Sequence, residues 1–391
     1  MRQTTTTRLL RCFALSIAIP AFISAAKPSP FCDDCKVTRE YFRKLCDYIV
    51  TERSDVQTIF TGGYFMRDLV AGYRIFGERH YLDTAVAYAD RLLAKQSERG
   101  YWGTGYGRIY LADTGSALGL FIVLYEHVDH DRRRKYLAAV QKYVDAIERD
   151  QLVLGSGALD VGLKTNAEGQ PTVPYKEDYP ISSALTGGEI FTWMYHITKR
   201  EKYREVAYNA LRWVFSTMRD DGVIPYNYPS GKANLSKKGD PQNDRMVWQN
   251  SLYLTSAYVG EGLLSFDLYS KQPKWNHEFR LKIKPHIDYV LRTQNANGTW
   301  APDGNWDQKR SPGIVNLLTW YYEHVEKDPR IVEAVRRFQR FIVVPENGKA
   351  FGMENDGAVP APSDRIAYDC VTGLTGRALA DILQPGVDAS W

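Results

Sequence analysis

Histidine and cysteine are scarce in this chain of 391 residues, which contains seven and five of them. Every histidine falls outside the long segments that connect the predicted helices, which disfavours a histidine general base and a histidine-ligated metal ion. The sequences GxSxG and HExxH are absent, and so are a P-loop and a GxGxxG between a strand and a helix. The sequence therefore predicts neither a serine-hydrolase nor a nucleotide-binding site, and it implies no metal and no cofactor.

Long hydrophobic runs are lacking as well, except for one near the N-terminus. Arg2, Arg8 and Arg11 precede the apolar stretch Cys12–Ile23, and the small residues Ser24–Ala26 follow it. This order is typical of a cleaved export signal, and the stretch is too short to span a membrane. We therefore expect residues 1–26 to be removed and the mature protein to be secreted, extracellular or periplasmic, with no membrane contact after cleavage.

A strong excess of one charge is also missing from the mature chain. The whole sequence carries a formal net charge of +4, and three of those charges lie in the export signal, which leaves about +1. Because a surface that binds many phosphates must be basic, we expect no nucleic-acid partner.

Four cysteines remain after cleavage: Cys32, Cys35, Cys46 and Cys370. In an oxidising compartment they predict one or two disulfide bonds, with three possible pairings. Cys32 and Cys35 have the spacing of a redox or zinc half-site, but no second such pair and no nearby histidine accompanies them. We expect this pair to be a structural bridge.

No linker rich in proline, serine or charge divides residues 27–391, so we expect a single catalytic domain. This length is large for one ordinary core, which directs attention to internal repeats. Six segments carry apolar residues at three- and four-residue intervals with charges between them, as on amphipathic surface helices. They are Val37–Val50, Tyr81–Leu93, Tyr136–Ile147, Tyr203–Phe215, Phe279–Leu291 and Ile331–Phe341.

Six further segments alternate with these and are poorer in charge and richer in small residues, which is typical of helices buried on most sides. The alternation predicts an inner ring of six helices within an outer ring of six, an all-α (α/α)6 barrel. An open solenoid of helix pairs is the competing arrangement, but it would leave one face of the buried helices in water. The buried segments are Phe65–Phe76, Asp113–Val128, Ile181–Ile197, Trp248–Tyr269, Gly313–Val325 and Ile366–Leu383.

The connections between the predicted helices differ in length. Links from a buried helix to the next outer helix are short, whereas links from an outer helix to the next buried helix are long. In a ring, the long links all emerge at the end where the buried helices begin, and loops of this length are usually functional. We therefore expect a substrate cleft at this mouth of the barrel. The long links are Ala94–Ala112, Glu148–Pro180, Ser216–Val247, Arg292–Pro312 and Ile342–Arg365.

Aromatic residues are dense in these long links and at the nearby starts of the buried helices. Rings that stack on sugar faces would explain this density in a wet cleft, and packing of the loops onto the barrel is the alternative for any single ring. The aromatic residues predicted to bind substrate are Trp102, Tyr106, Tyr110, Tyr179, Tyr226, Trp248, Trp300 and Trp306.

Carboxylates gather at the same mouth, where glycoside hydrolysis would need one as proton donor and a second as base or nucleophile. Asp113 is the first catalytic candidate because it opens a buried helix directly after an aromatic loop. Asp160, Asp178 and Asp68 are the candidates for its partner, and the sequence does not choose among them. Capping of helix N-termini is the alternative role for each of these carboxylates.

Arginines beside the mouth suggest an acidic substrate, because a guanidinium binds a carboxylate through two parallel hydrogen bonds. Arg108, Arg245 and Arg310 are the predicted contacts, and the amide of Asn250 is a further candidate for neutralising a uronate. Internal pairing with the many aspartates is the alternative for each arginine. The expected partner is an acidic oligo- or polysaccharide.

Residues 27–391 resemble the six-hairpin glycosidase superfamily of (α/α)6 barrels. The resemblance lies in the helix-pair repeat, in the phrase YLDTAVAYADRLLAKQSERGYWG, and in the helix DTGSALGLFIVLYEHV that Asp113 opens. This group includes unsaturated glucuronyl and rhamnogalacturonyl hydrolases, and toroidal uronate lyases share its architecture. The resemblance implies a carbohydrate substrate and, since these hydrolases place an aspartate at the start of an inner helix, a catalytic role for Asp113.

Gln294–Trp300 also fits the QxxxGxW signature of triterpene cyclases. The aspartate-rich DxDD motif of those enzymes is absent, so we interpret this segment as a turn that closes a helical hairpin.

Three hypotheses for the function remain open. A glycoside hydrolase would cleave uronate-containing oligosaccharides with Asp113 and a second carboxylate. A polysaccharide lyase would β-eliminate a uronate polymer, with a tyrosine as base and Arg245 or Asn250 neutralising the substrate carboxylate. A non-catalytic sugar-binding toroid would do neither.

Overall fold

The computed structural model describes residues 29–103, 108–225, 256–300, 312–343 and 362–387, with side chains in the last range from residue 372 onward. Most of these residues are helical, and the helices alternate between two layers as the sequence predicts. None of the described helices has the length and hydropathy needed to cross a membrane. The outer layer consists of α1 (Cys35–Glu52), α3 (Arg79–Ala94), α5 (His130–Arg149), α7 (Glu201–Ser216), α9 (Pro273–Arg292) and α11 (Pro329–Ile342).

The inner layer is apolar around most of the helix circumference. One of its helices, α6, is composite: it begins as Pro180–Ser182, widens to a π-helix over Ser183–Phe191 and ends as the α-helix Thr192–Thr198. The other inner helices are α2 (Ile59–Phe76), α4 (Leu111–Leu124), α8 (Ser256–Tyr269), α10 (Pro312–His324) and α12 (Pro362–Leu383).

The inner helices close into a ring. Each packs against the next along the chain, from α2 through α4, α6, α8 and α10 to α12, and α12 packs back against α2. This closure confirms the predicted (α/α)6 barrel and excludes the open solenoid.

Several outer helices begin at an aspartate that caps the first turn. The carboxylates of Asp34, Asp129 and Asp328 accept hydrogen bonds of 2.9 Å from the backbone N–H groups of Lys36, Arg132 and Arg330. A capping carboxylate satisfies a donor that the helix leaves open and also complements the helix dipole. These local signals fix where α1, α5 and α11 begin.

Neighbouring inner helices run parallel, so their N-termini lie at the same end of the barrel. A Cβ on Gly63 of α2 would lie 2.7 Å from the carbonyl oxygen of Ser116 in α4, and one on Gly119 of α4 would lie 2.4 Å from Arg67 in α2. Contacts therefore advance in the same direction along both helices. The long links all enter this end, which forms the mouth.

Helix α2 begins at Ile59, although the sequence pattern predicts its start at Phe65. The glycines in TGGY, which precede the predicted start, lie inside the helix. A Cβ on Gly62 would overlap the hydroxyl of Tyr88, and Gly63 meets the backbone of α4. Close packing between helices, rather than a turn, explains these two glycines.

The N-terminal segment ties the first outer helix to the last one. Arg336 of α11 donates to the carbonyl of Pro30 at 2.7 Å, and Arg340 pairs with Asp33 at 2.6 Å. Cys32 and Cys35 form a disulfide bond within this segment, as expected. Cys46 is buried as a free thiol, and the side chain of Cys370 lies outside the described residues.

A small antiparallel sheet, which the sequence pattern does not predict, lies at the mouth before α4. Its strands are β1 (Arg108–Tyr110), β2 (Gly162–Thr165) and β3 (Pro171–Pro174), in that spatial order. The backbone N–H of Leu111 donates to Val161 at 3.0 Å, so the sheet holds the start of α4 in place.

Candidate active site at the mouth of the barrel

Asp113 lies in the first turn of α4, directly after β1, and its side chain is partly buried. Burial raises the pKa of this carboxyl to about 7, while the positive charge of Arg108 acts in the opposite direction. A helix N-terminus also favours the charged form, so loss of contact with water outweighs both effects. The carboxyl is therefore partly protonated near neutral pH.

Two cation–tyrosine contacts lie on and beside the small sheet next to this carboxyl. The guanidinium of Arg108 lies 4.7 Å from the ring centre of Tyr110, and the amine of Lys164 lies 5.5 Å from that of Tyr175. Burial raises the pKa of Tyr110, Arg108 lowers it, and Tyr175 and Asp113 raise it further. Arg108, Tyr110, Tyr175 and Asp113 thus share one electrostatic environment.

Strand pairing places the two cations side by side. Arg108 of β1 is the direct partner of Lys164 of β2, and paired residues of an antiparallel ladder project from the same face. Lys164 is not among the predicted site residues, since its position opposite Arg108 depends on a sheet register that the sequence does not reveal. The pair is suited to binding an anionic group beside Asp113.

Asp160 is fully buried and organises the loop that precedes α6. Its carboxylate accepts hydrogen bonds from the backbone N–H groups of Gly162, Lys176 and Glu177, at 3.3, 2.7 and 3.4 Å. Burial raises its pKa, and these hydrogen bonds oppose the rise. The contacts correct its proposed role, because a carboxylate enclosed by its own loop is not open to a substrate.

Asp178 lies opposite Asp160 in a short backbone bridge. Its side chain is partly exposed and accepts a 2.9 Å hydrogen bond from the hydroxyl of Ser156. Asp178 therefore keeps access to water and stays a predicted partner of Asp113.

Asp68 lies inside the barrel, not at the mouth. Its side chain is fully buried in the middle of α2, and a Cβ on Gly376 of α12 would lie 2.2 Å from its carboxylate. The prediction that places it beside the cleft depends on a start of α2 at Phe65. With the true start at Ile59, Asp68 lies more than two turns below the mouth.

A network of buried charges crosses the barrel at about this depth. Glu261 of α8 accepts a hydrogen bond from Arg67 of α2 at 3.1 Å and another from Arg377 of α12. Arg67 also lies 3.5 Å from Glu189 in the π-helical part of α6. All four side chains are at most 3% exposed, so the opposite charges compensate one another in a medium that solvates them poorly.

The network extends upward to the turn that carries Asp113. Tyr64 donates to Glu261 at 3.3 Å and lies 3.3 Å from the hydroxyl of Ser116, which in turn donates to the carbonyl of Ala112 at 3.2 Å. Sequence reasoning misses Glu189, Glu261 and Arg377. Their available signal is a single charge inside an apolar, glycine-containing run, as in GGEIF and VGEGLL.

Trp102 and Trp300 pack in the core and do not line an open cleft, which corrects their predicted role as substrate contacts. Each is 1% exposed, and each indole N–H donates to a backbone carbonyl, of Leu92 at 2.7 Å and of Val290 at 2.8 Å. The alternative of loop packing therefore holds for both rings.

Both tryptophans end the same kind of turn. Gln96 donates to the carbonyl of Gly100 at 3.0 Å, and Gln294 donates to that of Gly298 at 2.9 Å. The glycines have φ values of +96° and +93°. The predicted hairpin-closing turn at Gln294–Trp300 is thus present, and a second copy, not among the predicted turns, lies at Gln96–Trp102.

The other predicted substrate contacts divide into two groups. Tyr179 is partly buried, packs against the core and precedes α6, while Arg108 and Tyr110 lie at the mouth on β1. The remaining predicted contacts lie outside the described residues: Tyr106, Tyr226, Arg245, Trp248, Asn250, Trp306 and Arg310.

A serine–histidine pair also occurs, but its position argues against catalysis. The hydroxyl of Ser256 lies 2.9 Å from Nε2 of His286, whose Nδ1 lies 2.8 Å from the carbonyl of Gly222. Both side chains are fully buried, and burial lowers the pKa of His286 to about 4. The pair holds α8, α9 and the loop at Gly222 together.

A group of possible metal ligands lies away from the mouth. Within the described parts of the chain, Asp47, Glu78 and His80 place ligand atoms within 4.8 Å of one another, near the short link between α2 and α3. Arg43 already pairs with Glu78, and Tyr81 donates to Asp47 at 2.6 Å. Internal contacts thus account for the two carboxylates.

Solved structures of carbohydrate-active enzymes share this architecture. A polysaccharide lyase superposes with a TM-score of 0.62 at 14% identity, covering 91% of this chain and 99% of the lyase. A possible member of the GH105 family from Salmonella enterica also gives 0.62, at 12% identity over 89% of this chain and 93% of that one. This chain has the fold of the six-hairpin glycosidase superfamily.

Another six-hairpin structure is an inactive variant of the α-1,6-mannanase GH76A of Salegentibacter sp. HEL1_6 in complex with α-1,6-mannotriose. It superposes with a TM-score of 0.57 at 12% identity, covering 89% of this chain and 98% of the mannanase. No family model and no curated protein sequence matches the chain. Since both hydrolases and a lyase use the six-hairpin fold, the fold by itself leaves the reaction open.

Proposed function

We propose that this protein is an exported glycoside hydrolase that cleaves uronate-containing oligosaccharides, with Asp113 as the proton donor. The observation that carries the proposal is a partly buried carboxyl at the mouth of the barrel with a pKa of about 7. Glycosidases need an acid that is still protonated near neutral pH, and burial is the usual way to obtain one.

The charges around Asp113 support an acidic sugar as substrate. Arg108 and Lys164 stand side by side on the small sheet, and the rings of Tyr110 and Tyr175 lie against them. A uronate carboxylate could bind the two cations while the sugar face contacts a tyrosine ring.

In the proposed reaction, Asp113 donates its proton to the glycosidic oxygen as the bond from that oxygen to the anomeric carbon breaks. Water then adds to the anomeric carbon and gives up a proton, which restores the enzyme when it reaches Asp113. Of the three predicted partners, Asp178 is the one that keeps enough exposure to assist the water. Asp160 and Asp68 are too enclosed for this role.

A polysaccharide lyase is the second candidate, and the closeness of Arg108 to Tyr110 favours it. In that reaction a tyrosine removes the proton beside the uronate carboxylate, which Arg108 and Lys164 would neutralise. Burial raises the pKa of Tyr110, however, and a tyrosine that holds its proton more tightly is a less available base. This makes the hydrolase the better-supported reaction, and a non-catalytic sugar-binding toroid would leave the shifted carboxyl without a use.

Absorbance near 230 nm, where unsaturated uronides absorb, separates these candidates. We would follow it on alginate, glucuronan, pectate, ulvan and glycosaminoglycans, and on unsaturated oligosaccharides prepared from them. Falling absorbance on the oligosaccharides, together with new reducing ends, is the expected result, because an unsaturated uronate released by hydrolysis rearranges to a keto acid that no longer absorbs at 230 nm. Rising absorbance on an intact polymer would replace the hydrolase with the lyase. A constant trace with no new reducing ends would support a binding toroid.

A further inference from the structure

A groove of about 670 Å³ lies on the outside of the barrel, next to the mouth. One wall is the exposed side of α7, with Asn209, Arg212 and Trp213, and the other is the loop 153–157, with Lys282 of α9 at the edge. The volume falls within the range of small-molecule sites, about 300 to 1,000 Å³.

The chain's own hydrogen bonds hold the loop wall of this groove in shape. The backbone N–H of Leu154 donates to Ala158 at 2.8 Å, and that of Gly157 donates to Leu154 at 2.9 Å. Gly157 has a φ of +91°, and a Cβ there would lie 3.3 Å from Asn209. The loop is therefore seated on α7, and the groove requires no rearrangement to form.

The groove combines an aromatic ring with cations and an amide. Trp213 is partly exposed, whereas the side chains of Asn209 and Arg212 are exposed. Lys282 pairs with Glu278 at 2.6 Å, and Arg212 also lowers the pKa of Glu278. Two cations thus share one carboxylate, so the groove keeps a net positive charge.

This combination fits a sugar that carries a carboxylate. The indole can contact a sugar face, Asn209 can bind hydroxyls, and the excess positive charge attracts the acid. The ion pair between Lys282 and Glu278 is partly exposed and therefore contributes little to stability. Arg212 and Lys282 can thus bind a ligand carboxylate in place of Glu278 at a small cost in free energy.

The groove is connected to the mouth through the same loop. Ser156, at the groove, donates to Asp178, whose backbone pairs with Asp160 beside the sheet at the mouth. A saccharide chain that leaves the mouth across Ser156 would therefore reach Trp213.

We propose that this groove is a second binding site for acidic oligosaccharide, which holds the part of a polymer that extends beyond the cleft. The choice of an acidic sugar rests on the proposed function, whereas the groove itself is independent of the reaction at Asp113. The site makes the protein bind long chains more tightly than short ones.

Native electrophoresis in gels that contain polygalacturonate, alginate or glucuronan tests the proposal, with dextran as the neutral polymer. We expect at least one acidic polymer to retard the wild-type protein, and dextran to have no effect. The variants Trp213→Ala and Arg212→Ala/Lys282→Ala should bind that polymer about tenfold more weakly, a change of about 1.4 kcal/mol. Arg134→Ala, which removes an exposed arginine from the start of α5, is the matched control and should behave as wild type.

Kinetics distinguish the groove from the cleft. The groove variants should raise KM for the polymer and leave kcat and KM for a short oligosaccharide unchanged. Because Arg212 is exposed and Lys282 is partly exposed, their double variant should melt as wild type. A loss of binding that this double variant shares with Trp213→Ala is then not caused by unfolding.

The groove is ruled out if no acidic polymer retards the wild type, or if the groove variants are retarded as strongly as Arg134→Ala. A protein that is retarded through Trp213 and Arg212 but turns over no substrate keeps the groove and loses the proposed function. If the protein turns over substrate but these side chains contribute nothing to polymer binding, the proposed function stands and the groove is ruled out.

Discussion

At the scale of single residues, two opposing effects set the protonation of Asp113. Burial raises the pKa of its carboxyl, and Arg108 lowers it, with the result near 7. Each pKa unit corresponds to about 1.4 kcal/mol. The position of one arginine therefore tunes the pH range over which the acid is usable.

The proposed acid must carry its proton, so we expect kcat to fall as the pH rises through about 7. Replacing Arg108 by Gln removes the charge that favours the carboxylate, which should move this fall to higher pH. Profiles of kcat against pH for wild type and Arg108→Gln measure the shift. If the pH at which kcat has fallen by half is unchanged in Arg108→Gln, a group other than Asp113 controls the fall of kcat.

A raised carboxyl pKa also affects stability. The folded protein binds more protons than the unfolded chain between about pH 4 and 7, so the contribution of Asp113 to stability falls as the pH rises through that window. Asp113→Asn should therefore raise the free energy of unfolding by about 2 kcal/mol at pH 8, and hardly change it at pH 4. The value at pH 8 is smaller than the pKa shift alone would give, because the side chain is partly exposed to water.

Urea unfolding at the two pH values measures this difference, with Asp178→Asn as the control. Equal effects at pH 4 and pH 8 would mean that the Asp113 carboxyl has an ordinary pKa.

The sequence places Asp113 correctly at the start of an inner helix, because the start of a helix is a local signal. It gives no sign of the position of Lys164, which depends on pairing with Arg108 across a sheet. It also misses Glu261, which meets Arg67 and Arg377 from 194 and 116 residues away along the chain. Contacts of this kind depend on the closed ring, and no short pattern encodes them.

At the scale of elements, the turn that ends in tryptophan is a repeated device that terminates an outer helix. Its glutamine donates hydrogen bonds both to the carbonyl of the turn glycine and to a carbonyl of the next outer helix. Gln96, for example, donates to Gly100 and, at 2.9 Å, to Ala139 of α5. Two copies of QxxxGxW in one chain predict two equivalent hairpin ends, and the signal is present in the sequence. Recognising both copies would assign Trp102 and Trp300 to the core.

The glycine of this turn should be intolerant of a side chain. Gly100 has a φ of +96°, and a Cβ there would lie 2.6 Å from the carbonyl oxygen of Lys142. Gly169 has a φ of +74°, and a Cβ there would have nothing within 4 Å. Gly169→Ala therefore measures the cost of the backbone conformation without a steric clash. We expect Gly169→Ala to cost about 1 kcal/mol and Gly100→Ala clearly more, as measured by urea unfolding. Equal costs would show that the turn yields without resistance.

At the scale of the whole molecule, the inner ring is held by packing and by the charge network that crosses it. Helices α2, α6, α8 and α12 each contribute a charged side chain, and their opposite charges are nearly excluded from water. The closed ring is predictable from the alternation of charged and apolar helices. The network of buried charges is not predictable in this way, because periodicity does not show which charged side chains of different helices contact one another.

Removing one member of this network should be far more costly than removing a surface ion pair. Glu261→Ala leaves Arg67 and Arg377 without the carboxylate between them, and we expect a loss of about 3 to 5 kcal/mol in the free energy of unfolding. Glu323→Ala, which breaks an exposed pair with Lys327, should cost less than about 1 kcal/mol. Urea unfolding of the two variants compares them, and a similar cost for both would mean that the network does not stabilise the barrel.

The central claim is that Asp113 supplies the proton for glycosidic cleavage, and the most direct measurement is kcat of Asp113→Asn on the substrate that the 230 nm assay identifies. Asparagine keeps the size of the side chain and removes the titrating proton, so kcat should fall about 10²- to 10⁴-fold while the protein stays folded. Asp160→Asn, which replaces the buried carboxylate of the loop before α6, is the control for a change of shape near the mouth. Wild-type kcat in a folded Asp113→Asn variant would contradict the account.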